Sequence, residues 1–252
     1  MTASRHALVT GGGSGVGEAI ALALAEAGID VTVCGRRAEP LEKVSAGHAR
    51  IHAMTADVTD EASVKALYET AEAERGPFDI VIANAGIASS APAHRTTLED
   101  WNRIVDVNLT GAFLTVKPAL QPMAKRGSGR IVFIASVAGL RGYAYVAPYV
   151  ASKHGVIGLM RALSVELVKT GVTVNAICPG YVETEMLEES IARVVEKTGR
   201  SREEARKGFI EANPHGRLIK PREVAAAALW LVSPEAASVT GQSISISGGE
   251  TW

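Results

Sequence analysis

The stretch Thr10-Gly-Gly-Gly-Ser-Gly-Val-Gly17 decides the fold, because it joins a short apolar segment, 7–9, to apolar residues that recur at helical spacing. Gly28 is a natural end for that helix, and a second strand-like segment, 31–34, follows it. The glycine spacing is Gly11-x-x-x-Gly15-x-Gly17, not the more familiar G-x-G-x-x-G. Glycines let a phosphate approach the backbone, and a helix N-terminus attracts anions. The stretch therefore predicts a βαβ unit that holds a pyrophosphate; a glycine-rich turn without a ligand is the alternative.

The alternation of strand and helix continues along the chain and predicts one α/β domain, 1–252, with a doubly wound parallel sheet covered by helices on both faces. We find no repeat or linker that would divide it. One segment, 183–213, is helical but strongly charged, and we interpret it as an excursion with little core, which should be the most mobile ordered part of the chain. Further strands are predicted at 50–55, 78–83, 130–135, 172–178 and 243–247, and further helices at 62–75, 97–125, 149–169 and 221–231.

Composition and charge limit the partners and the compartment. The formal net charge of −1 gives no electrostatic reason to expect nucleic acid or an anionic membrane as partner. No apolar run reaches the ~18 residues of a membrane span, and the first residues do not resemble a secretory signal. Cys34 and Cys178 both lie in strand-like segments, so we expect free thiols in the core and a cytoplasmic protein.

Tyr149 and Lys153 are four residues apart on a predicted helix, so their side chains share one face. A neighbouring ammonium favours the phenolate and lowers the pKa of a tyrosine, which can then exchange a proton with an alcohol or a carbonyl. Ser136 follows the apolar strand 130–135, at the sheet edge where open α/β folds bind ligands. Its hydroxyl could hold the same substrate oxygen. The alternative is a partly buried tyrosine without a catalytic role.

Several other residues carry weaker signals. Asp57 follows the third strand and could either bind an adenine amine or be the N-cap of the next helix. Asn108 is a poor residue for a helix interior, and Pro118 and Pro122 should kink or interrupt the same helix. The paired histidines 48 and 52 lack further ligands, so no metal site is expected.

These motifs occur together in the order found in the short-chain dehydrogenases/reductases, and the sequence resembles that family over nearly its whole length. The resemblance implies a Rossmann-type fold, and it is closest to the β-ketoacyl reductase group, which acts on acyl-carrier-protein, acyl-CoA and polyketide substrates. One departure is Ala83 before Asn84, where the family usually has a second asparagine. The residues that carry the resemblance are Gly11, Gly15, Gly17, Asn84, Ala85, Gly86, Asn108, Ser136, Tyr149, Lys153, Pro179, Gly180, Val182 and Thr184.

The resemblance implies a role for each residue. Tyr149 is the general acid/base, Lys153 lowers its pKa and holds the nicotinamide ribose, and Ser136 fixes the substrate oxygen. Asn108 kinks its helix and holds a water that links Lys153 to solvent. Substrate contacts are expected from Ser136, Tyr149, Arg141, Tyr143 and Tyr181. Cofactor contacts are expected from Gly11, Ser14, Gly15, Val16, Gly17, Arg36, Arg37, Asp57, Val58, Asn84, Ala85, Gly86, Tyr149, Lys153, Pro179, Gly180, Val182 and Thr184.

The end of the second strand indicates which cofactor is used. Folds of this type place an acidic residue there, where it bonds the ribose 2′-hydroxyl of NAD. This sequence has Gly35 at that position, followed by Arg36 and Arg37, whose guanidinium groups suit a 2′-phosphate. We therefore predict NADP, with NAD as the alternative.

The predicted reaction is reduction of a ketone, most simply a 3-oxoacyl thioester carried by CoA or a carrier protein. The alternatives are NAD-dependent oxidation of a secondary alcohol or 3-hydroxyacyl-CoA, and reduction of a sugar, steroid or aromatic ketone. A cofactor-binding regulatory subunit without turnover is the alternative from another class; a proton-transferring tyrosine argues against it. The helices 97–125 and 149–169 carry more apolar surface than one sheet covers, and in this family such helices form subunit interfaces. We therefore expect a homotetramer.

Overall fold

A computed structural model describes residues 4–251 and contains a seven-stranded sheet in which every neighbouring pair is parallel. The order across the sheet is β3-β2-β1-β4-β5-β6-β7, which confirms the doubly wound topology. The strands agree with the predicted segments to within two residues at most ends. They are β1 His6–Thr10, β2 Asp30–Gly35, β3 Ile51–Thr55, β4 Ile80–Ala83, β5 Gly129–Ile134, β6 Val172–Pro179 and β7 Ser243–Ile246.

Helices cover both faces of this sheet because the central strands are apolar on both sides. In β1, for example, Leu8 packs into one core cluster and Val9 into the other. Helices α3, α5 and α6 pack on the first face, and α1, α2 and α9 pack on the second. The α-helices of the described part are α1 Gly15–Glu26, α2 Ala38–Ala46, α3 Glu61–Arg75, α4 Leu98–Val105, α5 Gly111–Arg126, α6 Ala147–Leu167, α7 Glu185–Thr198, α8 Arg202–Ala212 and α9 Pro221–Leu231.

The helix predicted at 97–125 is an unbroken run of helical turns from residue 98 to residue 126, but the type of helix changes within it. A π-helical turn, Asp106–Thr110, separates α4 from α5. Of the two expectations for Pro118 and Pro122, an interruption of the helix is wrong, since α5 runs past both to Arg126, and a kink stays a prediction. Each proline removes only one backbone hydrogen bond, and the buried side chains of α5 hold the helix against the sheet. The helix ends where Gly127 adopts a left-handed conformation (φ 71°).

The charged segment 183–213 forms α7 and α8, and it has a core of its own. Its core content is small: Leu187 and Ile191 of α7 pack with Ala205 of α8 and with Leu218, in a cluster separate from the two that cover the sheet. The apolar residues are few, but their helical spacing gathers them on the facing sides of the two helices. Arg206 of α8 also pairs with Glu183 and with Glu188, each at 2.6 Å.

Three further features of the described residues bear on the predictions. Cys34 and Cys178 are free and fully buried, as expected. No helix in residues 4–251 is long and apolar enough to cross a membrane. The chain reverses its direction of winding between β1 and β4, which lie side by side in the centre of the sheet. Such a reversal opens a crevice at the carboxyl ends of the strands, where open α/β sheets bind their ligands.

Candidate active site

Hydrogen bonds tie the ends of β1 and β4 together at the floor of the crevice. The Thr10 hydroxyl accepts from the backbone N–H groups of Asn84 (3.0 Å) and Ala85 (3.1 Å). The Asn84 side-chain amide donates to the carbonyls of Thr10 (2.8 Å) and Gly11 (3.2 Å). One asparagine after β4 therefore fixes the start of the glycine turn after β1.

The glycine turn leaves a space that side chains would fill. Gly11 has φ 65°, and a Cβ on it would lie 2.9 Å from the Asn84 amide nitrogen. A Cβ on Gly17, in the first turn of α1, would lie only 2.2 Å from the Gly11 carbonyl oxygen. Ser14 is the N-cap of α1, and its side chain makes no capping hydrogen bond. The turn thus brings bare backbone and a free hydroxyl to a helix N-terminus, which fits a pyrophosphate.

Asn108 lies in the π-helical turn and is 1% exposed. Its side-chain oxygen accepts from the Ile87 N–H at 2.8 Å, and its amide donates to the Ile87 carbonyl at 3.0 Å. The same amide donates to the Ser152 hydroxyl of α6 at 3.0 Å. The helix changes from α to π geometry at Asn108, and the asparagine joins the loop after β4 to α6.

Ser136, Tyr149 and Lys153 come together beside this loop. The Ser136 hydroxyl accepts from the Ala138 N–H at 3.1 Å and lies 3.5 Å from the Pro179 carbonyl. Lys153 is buried, and its Nζ donates to the Ile134 carbonyl at 2.9 Å and lies 5.7 Å from the centre of the Tyr149 ring. A Cβ on Gly86 would lie 3.6 Å from Nζ. A hydroxyl pair and an ammonium group therefore meet at the carboxyl ends of β4 and β5.

The loop after β6 completes the crevice on its far side. Pro179 ends β6, and Val182 pairs with Ile219 in an isolated bridge that keeps it buried. Thr184 is the N-cap of α7, and its hydroxyl accepts from the Leu187 N–H. A Cβ on Gly15 would lie 3.1 Å from the Thr184 methyl group, so this loop reaches across to the glycine turn.

Comparison with known proteins agrees with this arrangement. The family model "short chain dehydrogenase" matches residues 5–194. The chain is a short-chain dehydrogenase. It is 39% identical to acetoacetyl-CoA reductase of Shinella zoogloeoides over 98% of both chains. It is 41% identical to cis-4-hydroxycyclohexanecarboxylate dehydrogenase of Sinomonas cyclohexanicum, covering 99% of this chain and 97% of that one. The crystal structure of an actinorhodin polyketide ketoreductase variant with NADPH superimposes with a TM-score of 0.94, at 40% identity, over 98% of this chain and 97% of that chain.

Burial shifts the pKa values of both Tyr149 and Lys153 in this dehydrogenase. Loss of solvent raises the pKa of Tyr149, while the neighbouring Ser136 hydroxyl lowers it to a smaller extent. Burial also lowers the pKa of Lys153 to about 8, against its ordinary value of 10.5. That Lys153 lowers the pKa of Tyr149 stays a prediction, since burial outweighs the other causes of the shift in Tyr149. The ammonium group is directed to the Ile134 carbonyl, and desolvation is the larger effect on both side chains.

The residues expected near the adenosine lie at the outer end of the crevice. Arg36 and Arg37 follow β2 and are exposed, and Arg37 lies 3.8 Å from Glu185 at the start of α7. Asp57 accepts from the backbone and hydroxyl of Thr59, and these hydrogen bonds lower its pKa. The N-cap of α3 is Asp60, so the N-cap interpretation of Asp57 is wrong.

Val58 is largely buried beside the π-helical turn. A Cβ on Gly111 would lie 2.8 Å from a Val58 methyl group, so the valine side chain packs on the start of α5. Its backbone remains the part available to a cofactor.

The side chains expected to contact substrate cluster around a residue that the sequence analysis missed. Tyr143 donates a hydrogen bond to the Glu250 carboxylate, and Arg141 lies 3.5 Å from the Glu250 backbone carbonyl. The Arg141 guanidinium lies 5.4 Å from the centre of the Tyr143 ring. Tyr181 packs edge-on against Phe209 of α8 at 5.0 Å. The signal for Glu250 was weak: an acidic residue directly after Gly248 and Gly249, beyond the last strand.

The lowered pKa of Lys153 predicts how stability depends on pH. Between pH about 8 and 10.5 this lysine is neutral in the folded chain and protonated in the unfolded chain. Stability rises with pH wherever the unfolded state binds more protons. Over this window we expect the wild type to gain roughly 3 kcal/mol of unfolding free energy relative to Lys153→Met. Urea unfolding of both proteins across the window measures the difference.

The matched control for this measurement is Lys65→Met, because Lys65 is an exposed lysine on α3. Its difference from wild type should stay constant with pH. A constant difference for Lys153→Met as well would contradict the depressed pKa.

Proposed function

We propose that this short-chain dehydrogenase is an NADPH-dependent ketone reductase whose substrate is a 3-oxoacyl thioester or a ketone of similar size. The observation that carries the proposal is the meeting of Ser136, Tyr149 and Lys153 with Asn108 beside the glycine turn. A protein that only binds a cofactor needs no proton-transferring group there. The names of two relatives, an acetoacetyl-CoA reductase and a polyketide ketoreductase, support a substrate whose ketone is at the β-carbon of an acyl chain.

Tyr149 gives its hydroxyl proton to the carbonyl oxygen as that oxygen becomes negative. The raised pKa of Tyr149 keeps the hydroxyl protonated at neutral pH, which is the form that reduction requires. The Ser136 hydroxyl holds the same oxygen and stabilises its developing charge. Bound NADPH supplies the hydride that reaches the carbonyl carbon.

Lys153 and Asn108 hold the proton-transfer group in place. The lysine ammonium lies under Gly86 and is held by the Ile134 carbonyl, so it can reach the ribose hydroxyls of a cofactor in the crevice. Asn108 fixes the loop after β4 through both backbone groups of Ile87 and joins it to α6. We propose that Asn108 also holds the water through which Lys153 exchanges protons with solvent, so that Tyr149 can be reprotonated.

The remaining contacts of the cofactor follow the crevice. The backbone at Gly11, the hydroxyl of Ser14 and the start of α1 hold the pyrophosphate, and Thr184 contacts it from the opposite side. Arg36 and Arg37 receive the 2′-phosphate, which is why NADP is the proposed cofactor. The other proposed contacts are Gly15, Val16, Gly17, Asp57, Val58, Asn84, Ala85, Gly86, Pro179, Gly180 and Val182.

The fold suggests how the whole chain serves this reaction. We propose that it acts as one domain and that α7 and α8, in 183–213, close over the substrate as a lid. Tyr181 supports this, because it stands at the crevice and packs against Phe209 of α8. The buried free thiols suit a reducing compartment, and we include a cytoplasmic location in the proposal.

Replacing Tyr149 with Phe should lower kcat by about 10²–10⁴, the usual contribution of a general acid. Affinity for NADPH, measured by fluorescence titration, should be kept. The activity assay follows NADPH oxidation with acetoacetyl-CoA and with a panel of other ketones. Retention of more than about a tenth of wild-type kcat would show that Tyr149 is not the acid.

Tyr68→Phe is the matched control, since Tyr68 is a buried tyrosine on α3 whose hydroxyl donates to the Thr115 carbonyl at 2.6 Å. That variant should lose stability and keep kcat, whereas Tyr149→Phe should keep stability and lose kcat.

Cofactor preference tests the role of Arg36. The ratio of kcat/KM for NADPH to that for NADH should exceed one in wild type. In Arg36→Ala it should fall by roughly tenfold, the lower end of the range for one charged hydrogen bond, because the arginine is exposed. Lys43→Ala removes an exposed cation from α2 and should leave the ratio unchanged. A wild type that prefers NADH would put the NAD-dependent alternative first.

We propose that the enzyme is a homotetramer, because α4, α5 and α6 expose large apolar side chains. Leu98 is 73% exposed and Val165 is 74% exposed, and Phe113 and Trp101 add to this surface. Light scattering should give four times the chain mass of 26.4 kDa. Phe113→Asp combined with Val165→Asp should lower the mass, because burying unpaired carboxylates in an interface is costly.

Met186→Asp is the control for the assembly measurement. Met186 is an exposed hydrophobic residue on α7, away from α4, α5 and α6, and its replacement should leave the mass unchanged. A wild-type mass of one chain at micromolar concentration would refute the tetramer.

A further inference from the structure

Glu250 is an unusual carboxylate because it is buried and only one of its two oxygens has a hydrogen-bond partner among the described side chains. The side chain belongs to the turn after β7, where Gly248 and Gly249 have positive φ, and the residue is 9% exposed. Its Oε1 accepts the hydrogen bond from Tyr143. Its Oε2 is shielded from solvent and has no hydrogen-bond partner among the described residues. Burying a carboxylate oxygen without a partner is costly, so this oxygen calls for an explanation.

The unpartnered oxygen is directed toward the catalytic loops. A Cβ on Gly180 would lie 3.3 Å from Oε2, and Gly180 follows the residue whose carbonyl is 3.5 Å from the Ser136 hydroxyl. Tyr143 lies between Ser136 and Tyr149 in sequence, on the loop that joins β5 to α6. Glu250 therefore touches the loops after both β5 and β6, which are the two walls of the substrate end of the crevice.

Nearby cations do not neutralise this carboxylate. Arg141 directs its guanidinium to the Glu250 backbone carbonyl at 3.5 Å and to the Tyr143 ring, and it forms no ion pair with the carboxylate in residues 4–251. Lys153 is held by the Ile134 carbonyl. Glu250 and Tyr149 also share a neighbour, Tyr181. Glu250 raises the pKa of Tyr181, and Tyr181 raises the pKa of Tyr149. Tyr181 is thus close enough to interact with both Glu250 and Tyr149.

We infer that Glu250 is a specificity-determining residue: it selects neutral ketones and acyl thioesters and disfavours substrates that carry a carboxylate close to the reacting carbonyl. The inference rests on the proposed function and names its substrate class more closely. Two negative charges in a partly buried crevice repel each other far more than in water. A neutral substrate avoids this repulsion, which acts through space and needs no contact with the shielded Oε2.

The test compares two pairs of substrates that differ in charge. The first pair is S-ethyl 3-oxobutanethioate, which is neutral, and acetoacetate. The second is the methyl ester of 4-oxocyclohexanecarboxylate and the free acid. For each pair we expect wild-type kcat/KM to favour the neutral member. In Glu250→Gln this preference should fall on the order of tenfold, mainly because the anion becomes a better substrate.

Two further variants separate charge from structure. Tyr143→Phe removes the hydrogen bond and keeps the carboxylate, so it should keep the preference for neutral substrates. Glu235→Gln makes the same change of charge on the exposed surface and should alter nothing. If Glu250 had only a structural role, Glu250→Gln and Tyr143→Phe would show the same loss of kcat/KM on all four substrates.

The outcomes distinguish this inference from the proposed function. Reduction of the cyclic ester without the thioester would refute the 3-oxoacyl substrate class, while the cyclic pair would still test Glu250. An unaltered preference in Glu250→Gln, or a preference that Tyr143→Phe abolishes equally, would overturn the role of Glu250.

Discussion

The hydrogen bonds between Asn84 and the end of β1 are the constraint on which the site depends. They join two strands that are neighbours in the sheet but are separated by more than seventy residues in sequence. Because the winding reverses between these strands, no helix crosses the gap above them. The glycine turn lies on one side of the gap and the loop that Asn108 holds lies on the other. A shift of either loop would therefore separate the anion-binding helix from the catalytic ammonium group.

Burial gives the catalytic groups their character. The same desolvation that raises the pKa of Tyr149 above its ordinary value of 10.0 lowers that of Lys153 from 10.5 to about 8, so burial moves the two values apart. Backbone groups bind the polar side chains of this layer. The Ile134 carbonyl accepts a hydrogen bond from Lys153, and both backbone groups of Ile87 bond with Asn108. A rigid polar layer of this kind holds a proton-transfer group in one geometry and avoids the cost of unpaired polar atoms.

Much of this could be predicted from the sequence, and what could not has a physical explanation. Strand positions and the order of the motifs were predictable because buried parallel strands are continuous apolar runs that end at glycine or polar residues. The type of break at Asn108 was not, since a π turn depends on the distant partners Ile87 and Ser152. The effect of Pro118 was misjudged because packing outweighs one lost hydrogen bond. Glu250 was missed because nothing near it in sequence shows that the last turn folds back onto Gly180.

The two buried cysteines have a practical consequence. Burial raises the pKa of the Cys34 thiol to about 12 and that of Cys178 to about 11, so neither forms an appreciable amount of thiolate near neutral pH. Alkylating probes react with thiolates, and both sulfurs are also shielded from reagents in solution. A single cysteine placed on the surface of α8 could therefore be labelled selectively with a fluorophore or a spin label in the otherwise native chain. Such a label would report whether α8 changes its position relative to the sheet when a ligand binds.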